Sequence, residues 1–233
     1  MMDTTKYQAF ADQQFGGLAD LELLITAFTH RSYLNEHKDS AKGHNERLEF
    51  LGDAVLELVV TEHLYNNFEE PEGILTNWRS ALVRTESISA AADREGFEPL
   101  LRLSRGEKRG SERARQQILA NCYEAVVGAL YIDKGYEAVK DYIDRTLLPT
   151  LKEILQSGTW LDPKSKLQEL VQSRDGFTPV YKVMQEDGPD HDKMFIVGVY
   201  VNDVFMGKGE GPSKQAAQVT AAAEALKTYT KEK

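Results

Sequence analysis

The sequence predicts a multi-domain chain, an all-α domain followed by a small α+β domain of order helix–strand–strand–strand–helix. Three observations carry that prediction. Apolar residues recur at helical spacing over most of residues 18–155. The spacing changes to alternation between 180 and 207, the signature of half-buried strands. Between the two, residues 156–163 break both patterns with Ser157, Gly158 and Pro163. The expected division is a first domain at 1–157, a linker at 158–161 and a second domain at 162–233.

In order along the chain, Leu21, Leu23, Leu24, Ala27 and Phe28 give one amphipathic helix, followed by the string THRSYLNE at 29–36. A polar, glycine-containing loop at 38–44 precedes a strongly apolar helix. Its residues 48, 50, 51, 54, 55, 56, 58, 59 and 60 read as largely buried. Pro71 suits the start of the next helical segment, and apolar spacing carries helices through 80–95 and 118–132. Gly135 and Pro149 punctuate the segments beyond. In the second domain Asp162 is a good N-cap with Pro163 at the first helical position, leading a helix to Ser173. Strands are expected at 180–184, 194–201 and 204–207, with Asn202-Asp203 as a tight hairpin turn. An alanine-rich helix from 212 to 229 closes the domain.

Composition narrows the function classes. At 41% hydrophobic residues the chain can bury ordinary globular cores. No apolar run spans a bilayer and no signal pattern opens the sequence, so a soluble, cytoplasmic protein with no membrane partner is expected. A single cysteine, Cys122, excludes an intrachain disulfide framework and reads as a small core residue. The formal net charge is −9; residues 1–160 carry 18 Lys+Arg against 26 Asp+Glu, and the remainder 10 against 11. Neither part is basic, so any nucleic-acid contact must rest on local patches or on metal ions that bridge to phosphate.

The most informative stretch is Asn45-Glu46-Arg47-Leu48-Glu49-Phe50-Leu51-Gly52-Asp53-Ala54-Val55-Leu56. Residues three and seven apart share a helix face, so Glu46, Glu49 and Asp53 form one acidic stripe inside an apolar helix. A solvated face with Arg47 as counter-charge is the ordinary reading of such acids. Their setting in an apolar helix points instead to a cation, because carboxylates buried together need neutralising. A hard metal such as Mg²⁺ takes oxygen ligands. A second acidic position lies at Glu124, one turn from Asn121 in ILANCYEAVVGA (118–129).

These residues resemble the signature of ribonuclease III, the double-stranded-RNA endonuclease of bacteria. The second domain resembles the double-stranded-RNA-binding domain through DPKSKLQE (162–169), GPDH (188–191) and GKGEGPSKQAA (207–217). The resemblance as a whole runs from about Leu18 to Leu226. It implies that Glu49, Asp53 and Glu124, with position 121, bind catalytic Mg²⁺ (or Mn²⁺ as a substitute), and that Asp53 and Glu124 are catalytic. Position 121 is Asn here where the family has Asp, and Gln stands at 215 where members commonly carry Lys. Asn121 reads as a tolerated variant, an inactivated paralogue or an Asp→Asn change made to trap substrate.

The resemblance further implies hydrolysis of phosphodiesters in double-stranded RNA to 5′-phosphate and 3′-hydroxyl ends with short 3′ overhangs. The implied role is processing of structured precursors such as rRNA and mRNA. It also implies a two-fold homodimer through the endonuclease domain, with Phe50 as a knob inserted into the partner; an ordinary core position is the other reading of Phe50. RNA-contacting candidates are Glu46 in the first domain and Ser165, Gln168, Glu169, His191, Ser213 and Lys214 in the second. The alternative function is a catalytically weakened or inactive double-stranded-RNA-binding protein.

Overall fold

The computed structural model describes residues 3–37, 43–158, 160, 162–189 and 193–229. The chain divides into two compact units, Met1–Trp160 and Leu161–Lys233. The first contains helices α1 (Thr5–Phe15), α2 (Leu21–Ala27), α3 (Arg31–Glu36), α4 (Glu46–Asn67), α5 (Glu72–Leu82), α6 (Thr85–Arg94), α7 (Glu112–Lys134), α8 (Tyr136–Thr146) and α9 (Leu151–Ser157). The second is α10 (Pro163–Asp175), then antiparallel strands β1 (Val180–Asp187), β2 (Met194–Val201) and β3 (Val204–Gly211) in that spatial order, then α11 (Lys214–Tyr229). This is the expected fold class. No helix among the described residues is long and apolar enough to cross a membrane.

The longest helices, α4 and α7, form the most extensive pair in the first unit. Two glycines allow their contact. A Cβ on Gly52 would overlap the carbonyl oxygen of Glu124, and one on Gly128 would overlap that of Leu48. Each helix thus lays its backbone against the other at a position where any side chain would force them apart. Around this crossing Leu48, Val55, Leu56, Val59 and Val60 meet Ala120, Cys122, Val126 and Val127 within one core. Cys122 is fully buried, as expected of a packing residue, and its thiol donates to the carbonyl of Ala27 at 3.5 Å.

Several local expectations hold and several change. Asp162 caps α10, accepting from the amides of Lys164 (2.8 Å) and Ser165 (3.3 Å). Asn202 and Asp203 take φ of 47° and 62°, the double positive φ of a type I′ hairpin turn. The helix expected across 80–95 is instead two, broken at Val83–Arg84, with α5 packed mainly on α4 and α9 and α6 on α7. Helix α1 is not anticipated by the apolar spacing. It buries Tyr7, Phe10 and Ala11, and the Tyr7 hydroxyl donates to the carbonyl of Leu100 at 2.8 Å. The larger correction concerns α4. Phe50 is 83% exposed, Leu58 57% and Tyr65 77%, so one apolar stripe of a helix read as largely buried faces out of the unit.

In the second unit Leu167 and Val171 of α10, Val199 and Val201 of β2 and the alanines of α11 form a separate core. The glycines of β3 set its thickness: a Cβ on Gly209 would meet the backbone of Ala221 and Ala217. The crossing of α4 and α7 can be tested by substitution. Gly52→Ala and Gly128→Ala should each destabilise the first unit by more than about 3 kcal/mol, the upper range of overpacking, because the obstruction is backbone. Gly73→Ala, in α5 with open space around it, should stay within about 1 kcal/mol of the parent and lean towards stabilisation. Urea unfolding of the three variants checks both, and an unchanged midpoint for Gly52→Ala would contradict the close crossing.

Candidate active site

The crossing of α4 and α7 brings the two acidic positions together. Glu49 and Asp53 project from α4 towards Glu124 and Asn121 of α7. Glu124 is half-buried, and its carboxyl is pushed up to about 8, first by burial and then by the charges of Asp53 and Glu49. Glu49 is also raised, by burial and then by Glu46, while a hydrogen bond from Asn121 opposes the rise and Asp53 adds to it. Carboxylates that resist ionising because they are buried and face one another are what a cation relieves. Among the described residues no group of three His, Cys, Asp or Glu side chains is already placed to hold a metal ion by itself. The donor set fits an ion such as Mg²⁺, which keeps several waters and takes only a few carboxylates.

Asn121 is held from two sides. Gln117, one turn earlier on α7, donates its Nε2 to Asn121 Oδ1 at 2.6 Å, and the Asn121 amide donates to Glu49. As placed, the amide oxygen faces Gln117 and the nitrogen faces the acids, an orientation set by the hydrogen-bond network. Ligation through Oδ1 requires the amide to turn over. Gln117 gave no signal in the sequence, because its role depends on the neighbour it holds.

Glu46 sits on the same face but pairs outward, 3.6 Å from Arg31 Nη1 and 3.8 Å from His44 Nδ1. The Arg31 contact begins a bridge to a basic segment. Ser32 Oγ accepts from the amide of Ser104 at 3.1 Å, and Glu36 accepts from that of Arg105 at 3.2 Å. Thus α3 ties the start of α4 to the loop that carries Arg105, Lys108 and Arg109 and leads to Arg113 at the start of α7, all four exposed. Sequence reasoning missed this segment. Its signal was six cations against two acids between 102 and 115 in a chain that is acidic overall. Buried Arg102 anchors the segment, donating to Thr29 Oγ1 at 3.1 Å and lying 4.3 Å from the Tyr33 ring centroid.

A cavity of about 560 Å³ lies at the other end of α4 and is lined by Leu64, Tyr65, Phe68, Leu75 and Arg79 among others. The acids occupy an open surface instead, as a site for a long polymer requires. The expected contacts of the second unit lie on α10 and at the start of α11. Gln168 and Glu169 are exposed. The hydroxyl of Ser165 is engaged by the Asp162 carboxylate. Ser213 caps α11 by accepting from the amide of Ala216 at 3.1 Å, and Lys214 pairs with Glu186 at 2.9 Å. His191 lies outside the described residues.

Comparison with known proteins identifies the family. Residues 20–151 match the family model described as ribonuclease-III-like, and residues 163–229 match the double-stranded RNA binding motif. The chain belongs to the ribonuclease III family. It is 44% identical over 211 residues to Ribonuclease 3 of Streptococcus gordonii, covering 89% of each chain. With Ribonuclease 3 of Bacillus cereus it shares 45% over 210 residues, covering 89% of this chain and 85% of that one. Among solved structures, the nuclease domain of ribonuclease III from Campylobacter jejuni is 33% identical with a TM-score of 0.53. That match covers 65% of this chain and 96% of the other. A second structure of that domain (TM-score 0.52, 36% identity, 59% and 93% coverage) is described by structural flexibility in a region involved in dimer formation. The family is metal-dependent.

A carboxyl whose folded pKa stands above its ordinary value favours the folded state only while protonated. For Glu124 the metal-free protein should therefore lose stability as pH rises from about 4.5 towards 8, the reverse of an ion-paired carboxylate. The span is at most about 2–4 kcal/mol after allowance for solvent at the half-buried group. Thermal melts across that pH range in chelator should show the slope. Glu124→Gln should flatten it, and so should a saturating divalent cation.

Proposed function

We infer that this double-strand-specific endoribonuclease uses Glu49, Asp53 and Glu124 as the side chains that hold Mg²⁺, with Asn121 completing the set through its amide. The observation that carries this reading is the convergence of three carboxylates on one open face, with Glu124 pushed up to about 8 by burial and its neighbours. A bound divalent cation supplies a Lewis acid for the scissile phosphate and a lowered pKa for water. The chain's own residues do the rest. Asp53, exposed at the rim, and Glu124, deeper in, face the substrate and the reacting water. Gln117 positions Asn121. The cations at Arg105, Lys108, Arg109 and Arg113 contact phosphates beside the cut and offset the acidic charge of the unit.

In the second unit Gln168, Glu169 and Ser165 meet 2′-hydroxyls in the shallow minor groove, while Lys214 and the free amides that open α11 take phosphate. Lys214 must leave Glu186 to do so, which lowers its net contribution. His191 is assigned a neighbouring groove on the family pattern alone. One acidic cluster cuts one strand, so cleavage of both calls for a two-fold homodimer. The stripe of Phe50, Leu58 and Tyr65 is its apolar seam, and Phe50 at 83% exposure is a knob without a socket in its own subunit. The products are 5′-phosphate and 3′-hydroxyl ends with short 3′ overhangs, and the substrates are structured precursors such as rRNA.

Glu124→Gln should abolish cleavage of a long duplex in Mg²⁺ while duplex binding stays within a few-fold, read on denaturing gels and by filter binding. Full cleavage in that variant would reject the assignment of the site. Asn121→Asp should lower the Mg²⁺ concentration for half-maximal cleavage and change the rate at saturation much less. The added charge is worth up to about 4 kcal/mol at 4 Å before desolvation offsets most of it. Identical metal titrations for the two forms would show that position 121 does not tune binding.

A further inference from the structure

We propose that the outward face of the β1–β2–β3 sheet, opposite α10 and α11, is a stacking platform for unpaired RNA. The inference rests on the reading that RNA is the substrate and extends it to a surface which the duplex-binding helices do not use. Buried Val197, Val199 and Val201 point towards the helices, so the residues between them point away. The register then places Lys182, Gly198 and Lys208 in one row across the sheet, with Tyr200 beside Phe205 in the next.

This face has the chemistry of a single-strand site. Tyr200 and Phe205 are neighbours, with ring centroids 5.6 Å apart at an interplanar angle of 66°, so they pack edge to face and are not stacked flat on one another. Phe205 is 48% exposed and Met184 52%. Gly198 forms the floor beneath Met184 and Tyr200 and is itself buried by them. A Cβ there would lie 2.9 Å from Met184 Sδ and 3.1 Å from the Tyr200 ring, so glycine lets both side chains lie close over the sheet without shifting. Lys182 stands 4.9 Å from the Tyr200 centroid and Lys208 is exposed in the same row, two cations against Glu210. Rings offer any base a π-face, and ammonium groups beside them meet the phosphates. A duplex cannot use such rings, because its bases are already stacked. The ligand is therefore an unpaired segment: a hairpin loop, a flanking single strand or a cleaved overhang. A purely apolar protein-binding patch would have no need of the paired lysines.

The test uses the full chain in chelator, so that cleavage is silent, with a fluorescein-labelled ten-nucleotide oligouridylate followed by anisotropy. The parent should bind, and salt should weaken the binding. The double variant Tyr200→Thr, Phe205→Thr should bind at least about tenfold more weakly, as loss of a stacked base predicts, while duplex binding is retained. Gly198→Glu, which places a charged side chain on the floor, should do the same and provides a second route should the double variant fold poorly. Amide shifts on titration with the oligonucleotide should map to β1, β2 and β3. Unchanged oligonucleotide affinity in both variants, or none in the parent, would overturn the platform. So would association beyond a dimer that the double variant abolishes in the absence of RNA, since a second copy would then cover the face. Failure of the parent to cut duplex in Mg²⁺ with the oligonucleotide still bound would sink the catalytic reading and leave the platform standing.

Discussion

The close crossing of α4 and α7 is the constraint on which the rest of the first unit depends. Helices normally pack about 8–10 Å apart through interdigitated side chains. Here Gly52 and Gly128 bring backbone against backbone, with the carbonyls of Glu124 and Leu48 filling the missing volume. The consequence is electrostatic. Glu124 donates its carbonyl to the crossing and its carboxylate to the site, so it cannot retreat from Glu49 and Asp53. A looser crossing would let the three charges separate and solvate, and the raised Glu124 would relax towards an ordinary acid. The glycines convert packing energy into a standing repulsion that a cation relieves.

Charge is deployed in the same local way across the chain. A net of −9 opposes an RNA partner at long range. At contact distance the field is set by neighbours within a Debye length of about 10 Å, and there the molecule sorts its charges. The basic segment 102–115 is fastened beside the acids by α3 through Ser32 and Glu36. In the second unit Glu186 gathers Lys193 and Lys214, which holds its carboxyl below the usual range. These pairs are surface contacts of small stabilising value. Their effect is to keep cations in place until phosphate competes for them.

Legibility in the sequence tracked how local each feature was. The N-cap Asp162 and the turn Asn202-Asp203 depend on residues within four positions, and both were readable. The acids at 46, 49 and 53 share a face by helix geometry alone, so their grouping was readable too. Meeting Glu124 across the core was known only through family resemblance, because nothing in local spacing specifies which helix faces which. Helix α1 escaped notice because Tyr7, Phe10 and Ala11 give it a short stripe in a polar run, and its stability comes from docking on Phe28 and Phe97. The apolar spacing placed Phe50 and Leu58 inside because hydrophobicity reports a wish for burial without naming the partner. Gln117 was invisible since a glutamine on a helix has no meaning until the residue it touches is known.

Helix α4 therefore presents three faces on one rigid rod, and their angular order matters. Leu48, Gly52, Val55 and Val59 form the buried seam, Glu49 and Asp53 the acidic face, and Phe50, Leu58 and Tyr65 the outward apolar stripe. Successive residues on a helix differ by about 100°, so Phe50 points about a quarter-turn from Glu49. Docking a second subunit on that stripe would fix the acids of both subunits in direction as well as in distance, with no flexible segment intervening. A long loop between docking residue and ligand would let the two sites drift relative to each other and lose the constant offset between the two cuts. In the proposed dimer, placing both on one helix would make the spacing of cleavage a property of helix geometry, and a substitution that rotates α4 at Gly52 should disturb the proposed seam and the proposed metal site together.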